Sequence, residues 1–151
     1  MSEIFTIGYE QAGLADFLRA LQAAGVTRLI DVRDLPQSRR AGFSKRQLAA
    51  SVEALGIGYL HLKPLGTPKE GRVAHRTGDQ AGFWRIVEAQ LAKPEAQAAL
   101  EELAAIAREQ PSCLVCYEGD WRTCHRARVV ELLSERHGFT ARHLTAEPVF
   151  I

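Results

Sequence analysis

The sequence has few of the features that mark secreted, membrane-spanning or nucleic-acid-coating proteins. Three cysteines among 151 residues is an odd number, so we do not expect a disulfide framework. No apolar run approaches the roughly 20 residues that span a bilayer, and no basic N-terminal segment precedes a long apolar stretch. The net charge is only +1, which argues against binding nucleic acid through bulk charge. We therefore expect a cytoplasmic protein without membrane attachment.

The overall composition of the chain is that of an ordinary folded domain. Apolar residues make up 46% of the chain and charged residues 25%, which is the balance of a globular protein. A length of 151 residues accommodates one domain with its own core and is too short for two ordinary domains. The sequence therefore predicts a single domain over residues 1–151 and leaves the oligomeric state open.

Short apolar runs alternate with helical runs through the whole chain. The patterns predict helices between strands at 4–8, 29–33, 57–62, 112–118 and 139–145. Residues 63–82 are predicted to be an irregular connection. This alternation is typical of a three-layer α/β domain, with a mostly parallel sheet of about five strands and helices on both faces. In that architecture ligands bind beyond the carboxyl ends of the strands.

Capping residues suggest where two of the helices begin and end. Ser44 and Gln47 have the spacing of a capping box. Thr123 is suited to begin the last helix and Gly138 to end it. This boundary places Cys124 in the first helical turn.

Basic residues gather after the predicted strands. Residues 28–46 contain six basic and two acidic side chains, residues 63–76 contain four and one, and residues 122–128 contain three and none. We interpret Arg28, Arg40 and Arg46 as ordinary exposed residues. The rest predict a basic pocket that binds an anionic small molecule or nucleotide, since arginine matches phosphate and carboxylate with paired hydrogen bonds. The predicted ligand-binding residues are Tyr9, Arg33, Ser38, Arg39, Lys45, Tyr59, Arg122 and Arg126.

The richest chemistry lies in residues 113–126. We interpret Cys113 as a small buried apolar residue, and for Cys116 burial and a chemical role are both open. At a helix start, Cys124 would be stabilised as a thiolate by the helix dipole and by neighbouring Arg122 and Arg126. The predicted catalytic residues in this segment therefore include Cys116 and Cys124.

Two further side chains in this segment are suited to proton transfer. Because a histidine side chain ordinarily titrates near neutral pH, His125 is a candidate proton donor or acceptor, and Glu118 is a candidate general base or a partner that holds an Arg or His. Together with Cys116 and Cys124 they offer ligand types that zinc accepts. Their spacing is not the paired short-gap pattern of a structural zinc site, and adjacent Cys124 and His125 would point apart on a helix. We therefore expect no metal and no cofactor.

Two local motifs resemble known cysteine enzymes. Cys116-x-x-Gly119-x-x-Arg122-Thr123 resembles the phosphate loop of cysteine phosphatases, in which a cysteine nucleophile and an arginine flank a loop of N–H groups. Asp31-Val32-Arg33 and the strand-loop-helix around Cys116 resemble rhodanese sulfurtransferases. These resemblances imply an enzyme that uses Cys116 as its nucleophile.

A third resemblance covers nearly the whole chain. Its blocks follow the order and spacing of the bacterial and archaeal family called domain of unknown function 488. This resemblance implies a small α/β domain whose motif residues cluster at one site, and it implies no particular activity. The similar blocks are Thr6-Ile7-Gly8-Tyr9, Asp31-Val32-Arg33 with Pro36 and Ser38-Arg39, Phe43, Gly56-Ile57-x-Tyr59 with Leu65-Gly66, and Cys116-x-Glu118 with Cys124-His125-Arg126.

Three functions are compatible with these residues. The first is an enzyme, a hydrolase or transferase, acting on a phosphate-bearing or other anionic small molecule. The second is a module that binds a nucleotide or nucleic acid through a local basic patch without turnover. The third is a scaffold in which the motif residues pair structurally, with Asp31 bracing His125 or Arg126 and Glu118 pairing with Arg33.

Overall fold

Five short strands lie side by side in one sheet within residues 2–147, the part of the chain that the computed structural model describes. All neighbouring strands are parallel, in the order β3-β2-β4-β1-β5. The expected parallel sheet of about five strands is confirmed. The strands are β1 (Glu3–Gly8), β2 (Arg28–Asp31), β3 (Gly58–His61), β4 (Ser112–Cys116) and β5 (Thr140–Leu144).

Six helices cover the two faces of this sheet. They are α1 (Leu14–Ala23), α2 (Lys45–Glu53), α3 (Lys69–Arg76), α4 (Gln80–Leu91), α5 (Pro94–Glu109) and α6 (Arg126–His137). Helices α1 and α2 pack on one face and α3 to α6 on the other, which confirms the three-layer α/β architecture. Among the helices of residues 2–147, none combines the length and apolarity that crossing a membrane requires.

The central strands are buried because they are covered on both sides. Every residue of β4 is buried, and its side chains alternate between the two cores. Cys113 packs with α1 and α2, as its interpretation as a buried apolar residue requires. Cys116 faces the other core at the carboxyl end of the strand, opposite Gly8 of β1. The loops that follow these ends therefore meet at one edge of the sheet.

Residues 63–82 contain more regular structure than the sequence predicted. A 3-10 turn (Lys63–Leu65) is followed by α3 and by the start of α4, so the expectation of an irregular connection is wrong. Only small residues of α3 are buried, Gly71 and Ala74, and these lie close to α4. A helix is recognised in a sequence by large apolar residues that recur at helical spacing. Because α3 buries no large apolar side chain, this signal is almost absent.

Two predicted helix starts also differ from the structure. Residues Trp121–Thr123 form a 3-10 turn, Cys124 is extended, and α6 begins only after His125, so the prediction that Cys124 lies in a helical turn is wrong. Ser44 does precede α2, but its hydroxyl makes no capping bond. It donates instead to the carbonyl of Ser38 and accepts from the Ser38 N–H, so the capping box is absent from this helix.

Candidate functional site

A cavity of about 890 Å³ opens at the carboxyl ends of the strands. Its walls come from the loops after β1, β2 and β4 and from α3 with the start of α4. The lining is rich in charge of both signs and contains more arginines than acidic residues. These residues are Arg33, Arg39, Arg40, Arg72, Arg76, Glu10, Asp34 and Glu118.

Cys116, Glu118 and His125 line this cavity together, with Cys116 and His125 each only 5% exposed, and we refer to these three residues as its floor. The Cys116 thiol donates to the Glu118 carboxylate at 3.3 Å, and its sulfur is 3.6 Å from Nδ1 of His125. The sulfur of Cys124 is 3.8 Å from the same nitrogen, just behind the floor. The ligand atoms of Cys116, Cys124 and His125 all lie within 4.8 Å of one another. The structure therefore joins all four predicted catalytic residues in one cluster.

The orientation of His125 explains why these atoms converge. Its Nε2 is 2.7 Å from the carbonyl oxygen of Val32, the residue that follows β2. Because a carbonyl oxygen can only accept a hydrogen bond, Nε2 carries a proton, and Nδ1 faces the two sulfurs. The expectation that Cys124 and His125 would point apart is wrong, because Cys124 is extended and not helical. An extended residue directs its side chain independently of the helix that begins two residues later.

Burial and close charges shift the pKa values of this cluster. Burial raises the pKa of the Cys116 thiol, and the neighbouring Cys124 adds to this effect. Burial opposes a thiolate at Cys124, yet the neighbouring Cys116 and the charge of His125 lower its pKa well below the usual range. The Cys124 thiolate in turn raises the pKa of His125 despite burial. Burial, with a contribution from Cys124, raises the pKa of Glu118 to about 7.

Arg33 and Asp31 form a buried ion pair beside the cavity. The carboxylate of Asp31 is fully buried and accepts hydrogen bonds from the backbone N–H, Nε and Nη2 of Arg33, at 3.1, 2.8 and 2.7 Å. Nη1 of Arg33 donates to the hydroxyl of Tyr9 and to the carbonyl of Phe43. Tyr59 donates its hydroxyl to the same carboxylate. Most donors of Arg33 are therefore used within the protein.

Arg126 is also committed to internal contacts. It is only 1% exposed, and its guanidinium donates to Thr6 Oγ1 at 3.2 Å and to the carbonyl of Glu118 at 2.7 Å. Its backbone N–H points at the sulfur of Cys124 at 3.5 Å. Arg126 thus holds the loop after β4 in place. The scaffold hypothesis predicted that Asp31 braces His125 or Arg126. In the structure Asp31 binds Arg33 instead.

The close approach of β1 to this loop requires a glycine. A Cβ added to Gly8 would lie 1.8 Å from the backbone oxygen of Glu118. Because the obstacle is backbone, Gly8→Ala displaces the loop, and we expect a loss of about 1–3 kcal/mol in the free energy of unfolding, measured by chemical denaturation. The control is Gly13→Ala, whose added Cβ meets nothing closer than 3.5 Å. Equal stability of the two variants would contradict the close approach.

The structure separates the predicted ligand-binding residues into two groups. Tyr9, Arg33, Ser38 and Arg39 line the cavity. The other four, Lys45, Tyr59, Arg122 and Arg126, lie outside the cavity lining. Arg122 is exposed and contacts Asp120 and the Trp121 ring.

Other cavity residues were missed from the sequence. The interpretation of Arg40 as an ordinary exposed residue is wrong, because it lines the cavity and donates to the carbonyl of Ala12. Arg72, His75 and Arg76 were not identified because α3 was not predicted. The excess of basic residues between positions 63 and 76 was the signal that could have indicated them.

The fold and the site define an α/β protein with a cysteine, histidine and glutamate cluster at the carboxyl end of a parallel sheet. The model of one protein family matches residues 13–133, which is most of the chain. The protein belongs to that family, the domain of unknown function DUF488. Comparisons with curated proteins and with solved structures found no match.

Proposed function

We propose that this protein is an enzyme that binds an anionic small molecule, such as a phosphate-bearing compound or nucleotide, and acts on it at the cavity floor. One observation carries the proposal: a single cavity has arginines at its wall and a thiol, a carboxylate and an imidazole at its floor. The arginines supply affinity for an anion. The groups at the floor are those that exchange protons or bind reacting atoms.

The arginines differ in how far their charge is already compensated. Arg72 pairs with Asp34 at 2.8 Å, and Arg33 with Asp31 at 2.7 Å. Within residues 2–147, Arg39 and Arg76 line the cavity and form no ion pair with a carboxylate. Their charge is therefore available to a ligand.

The distribution of charge gives the ligand a direction. In its ionised form Glu118 at the floor repels an anionic group, whereas Arg39 and Arg76 attract one. The anionic end of the ligand is therefore bound by these arginines and its reacting part faces the floor. This orientation differs from that of a phosphate loop around Cys116, which needs Arg122 over the cysteine. Arg122 lies outside the cavity lining and is 72% exposed.

The floor also favours an enzyme over a module that only binds. A thiol contributes little attraction for an anion and an ionised carboxylate repels one, and placing both groups out of water costs free energy. Cys116 is 5% exposed, and its thiol donates a hydrogen bond to Glu118 inside the cavity. Buried titratable groups of this kind cluster at sites where a ligand is chemically transformed, which favours an enzyme.

The anion site is tested by replacing Arg39 with Ala and measuring affinities for phosphate, nucleotides and dicarboxylates by calorimetry. We expect affinity for the bound anion to fall about tenfold, the equivalent of one charge-assisted hydrogen bond. Arg46→Ala is the matched control, because Arg46 is an exposed arginine of the same region that does not line the cavity. Equal losses in both variants would contradict an anion site in the cavity.

Catalysis is tested with the same compounds and the unmodified protein. Each compound that binds is incubated with the protein at high concentration, and products are followed by mass spectrometry. Formation of a product supports an enzyme. Tight binding through Arg39 with no product from any bound compound contradicts catalysis and favours a binding module.

A further inference from the structure

We propose that Cys116, Cys124 and His125 bind a zinc ion through their two sulfurs and Nδ1, with a fourth coordination position open to the cavity. The distances fit such an ion. Zinc bonds of about 2.3 Å to sulfur and 2.0–2.1 Å to nitrogen place tetrahedral ligands roughly 3.5 Å apart. The two sulfur–nitrogen distances are 3.6 and 3.8 Å, and the three atoms lie within 4.8 Å of one another.

The surroundings of these ligands are those that metal sites require. A metal-bound histidine usually donates its other N–H to a carbonyl or carboxylate, which fixes the ring and its tautomer. His125 makes this contact through Nε2 with the Val32 carbonyl, and so directs Nδ1 at the sulfurs. The backbone N–H of Arg126 points at the Cys124 sulfur, which stabilises a thiolate there.

Charge balance also favours a divalent ion at this position. Binding displaces two protons into solvent, one from the Cys116 thiol and one shared by the Cys124–His125 pair. The resulting zinc with two thiolates and a neutral imidazole carries no net charge. A neutral centre can lie beside the buried guanidinium of Arg126 without a large desolvation cost. Two sulfurs and one nitrogen favour zinc over magnesium and calcium, which prefer oxygen ligands.

The open position follows from which ligands reach the cavity. Cys116 and His125 are part of the lining, whereas Cys124 lies behind them and is fully buried. Three protein ligands and one accessible position are the arrangement of catalytic zinc, whose fourth ligand is water or substrate. Once Cys116 loses its proton, the Glu118 carboxylate is free to accept a hydrogen bond from that water.

A disulfide between Cys116 and Cys124 is the competing use of the two thiols. It requires the sulfurs to approach to about 2.05 Å, and it gives the histidine no bonding role. The structure instead directs the free nitrogen of His125 at both sulfurs at once. Metal binding accounts for all three side chains.

The test uses the full-length protein, kept reduced, stripped with a chelator and titrated with cobalt(II) chloride. We expect saturation near about one equivalent, intense visible bands of tetrahedral cobalt and a thiolate charge-transfer band, all displaced by zinc chloride. Cys116→Ser and Cys124→Ser should lose the charge-transfer intensity stepwise. Cys113→Ala is the matched control, because Cys113 is a buried cysteine in the core on the opposite face of the sheet, and it should bind cobalt as the unmodified protein does.

X-ray absorption of the zinc form of the unmodified protein provides a readout that does not depend on whether the variants fold. We expect two sulfur ligands at roughly 2.3 Å and a nitrogen at roughly 2.0–2.1 Å. No saturable binding, a spectrum of oxygen ligands only, or a Cys116–Cys124 disulfide formed under reducing conditions would overturn the proposal. Because metal is measured without any cavity ligand, this failure is distinguishable from failure of the proposed anion-binding enzyme.

Discussion

We expect Glu118→Gln to lower the proposed turnover of the cavity ligand by about a hundredfold or more, the usual contribution of a positioned acid or base. The Glu118 carboxylate lies on the cavity floor beside Cys116, where it can exchange a proton with the bound molecule. Glutamine keeps the shape and cannot accept that proton. Affinity for the anion stays equal or rises, because a negative charge has been removed. The measurements are the single-turnover rate and the dissociation constant by calorimetry.

The matched control for this variant is Glu10→Gln. Glu10 lines the same cavity, but its carboxylate accepts the exposed backbone N–H of Gly119, whereas that of Glu118 accepts the Cys116 thiol. We expect its turnover to remain within about threefold of the unmodified protein, since a surface hydrogen bond contributes little. If both variants lost turnover equally, the effect would be one of cavity charge, and Glu118 would not be the proton-transferring group.

Replacing Asp31 by alanine lowers the free energy of unfolding by about 3–5 kcal/mol, the typical cost of leaving one partner of a buried ion pair without the other. Arg33 is only 5% exposed and loses three hydrogen bonds, and Tyr59 loses its acceptor. The remaining contacts of Arg33, with Tyr9 and Phe43, carry no negative charge. Urea denaturation followed by circular dichroism measures the change.

An exposed ion pair provides the comparison for Asp31. Glu131 contacts Arg128 at 3.6 Å on the surface of α6, and its side chain is 61% exposed. Glu131→Ala should change the free energy of unfolding by no more than about 0.5 kcal/mol. An Asp31→Ala protein as stable as the Glu131→Ala protein would show that the buried pair does not stabilise the fold.

The fold could be predicted from the sequence because its signals are local. The apolar runs of β1 and β4 and the periodic apolar residues of α1 and α6 occur within one element each, and strand-helix alternation then leaves few topologies. The location of the candidate site could also be predicted from the sequence, because charged residues that follow several parallel strands meet at one edge of the sheet. Helix α3 escaped prediction because its buried residues, Gly71 and Ala74, are small and leave no run of large apolar residues at helical spacing.

The tertiary structure decided which of the candidate residues remain available to a ligand. Arg33 and Arg126 follow predicted strands as Arg39 does, yet their donors are already used within the protein. Arg33 bonds to Asp31, two residues before it, and to distant Tyr9, whereas Arg126 bonds to Thr6, 120 residues away. A sequence shows that a guanidinium is present and not whether its donors are already used.

The sequence by itself determined a parallel α/β domain with basic and thiol-bearing loops at one edge of the sheet. Only the tertiary structure decided that Cys116, Cys124 and His125 share one centre, because that depends on an extended residue before α6 and on a hydrogen bond from His125 to Val32, which is 93 residues away in the chain. Residue types and short-range periodicity can be read from neighbouring positions in the sequence, whereas the direction in which a side chain points is set by contacts between distant segments.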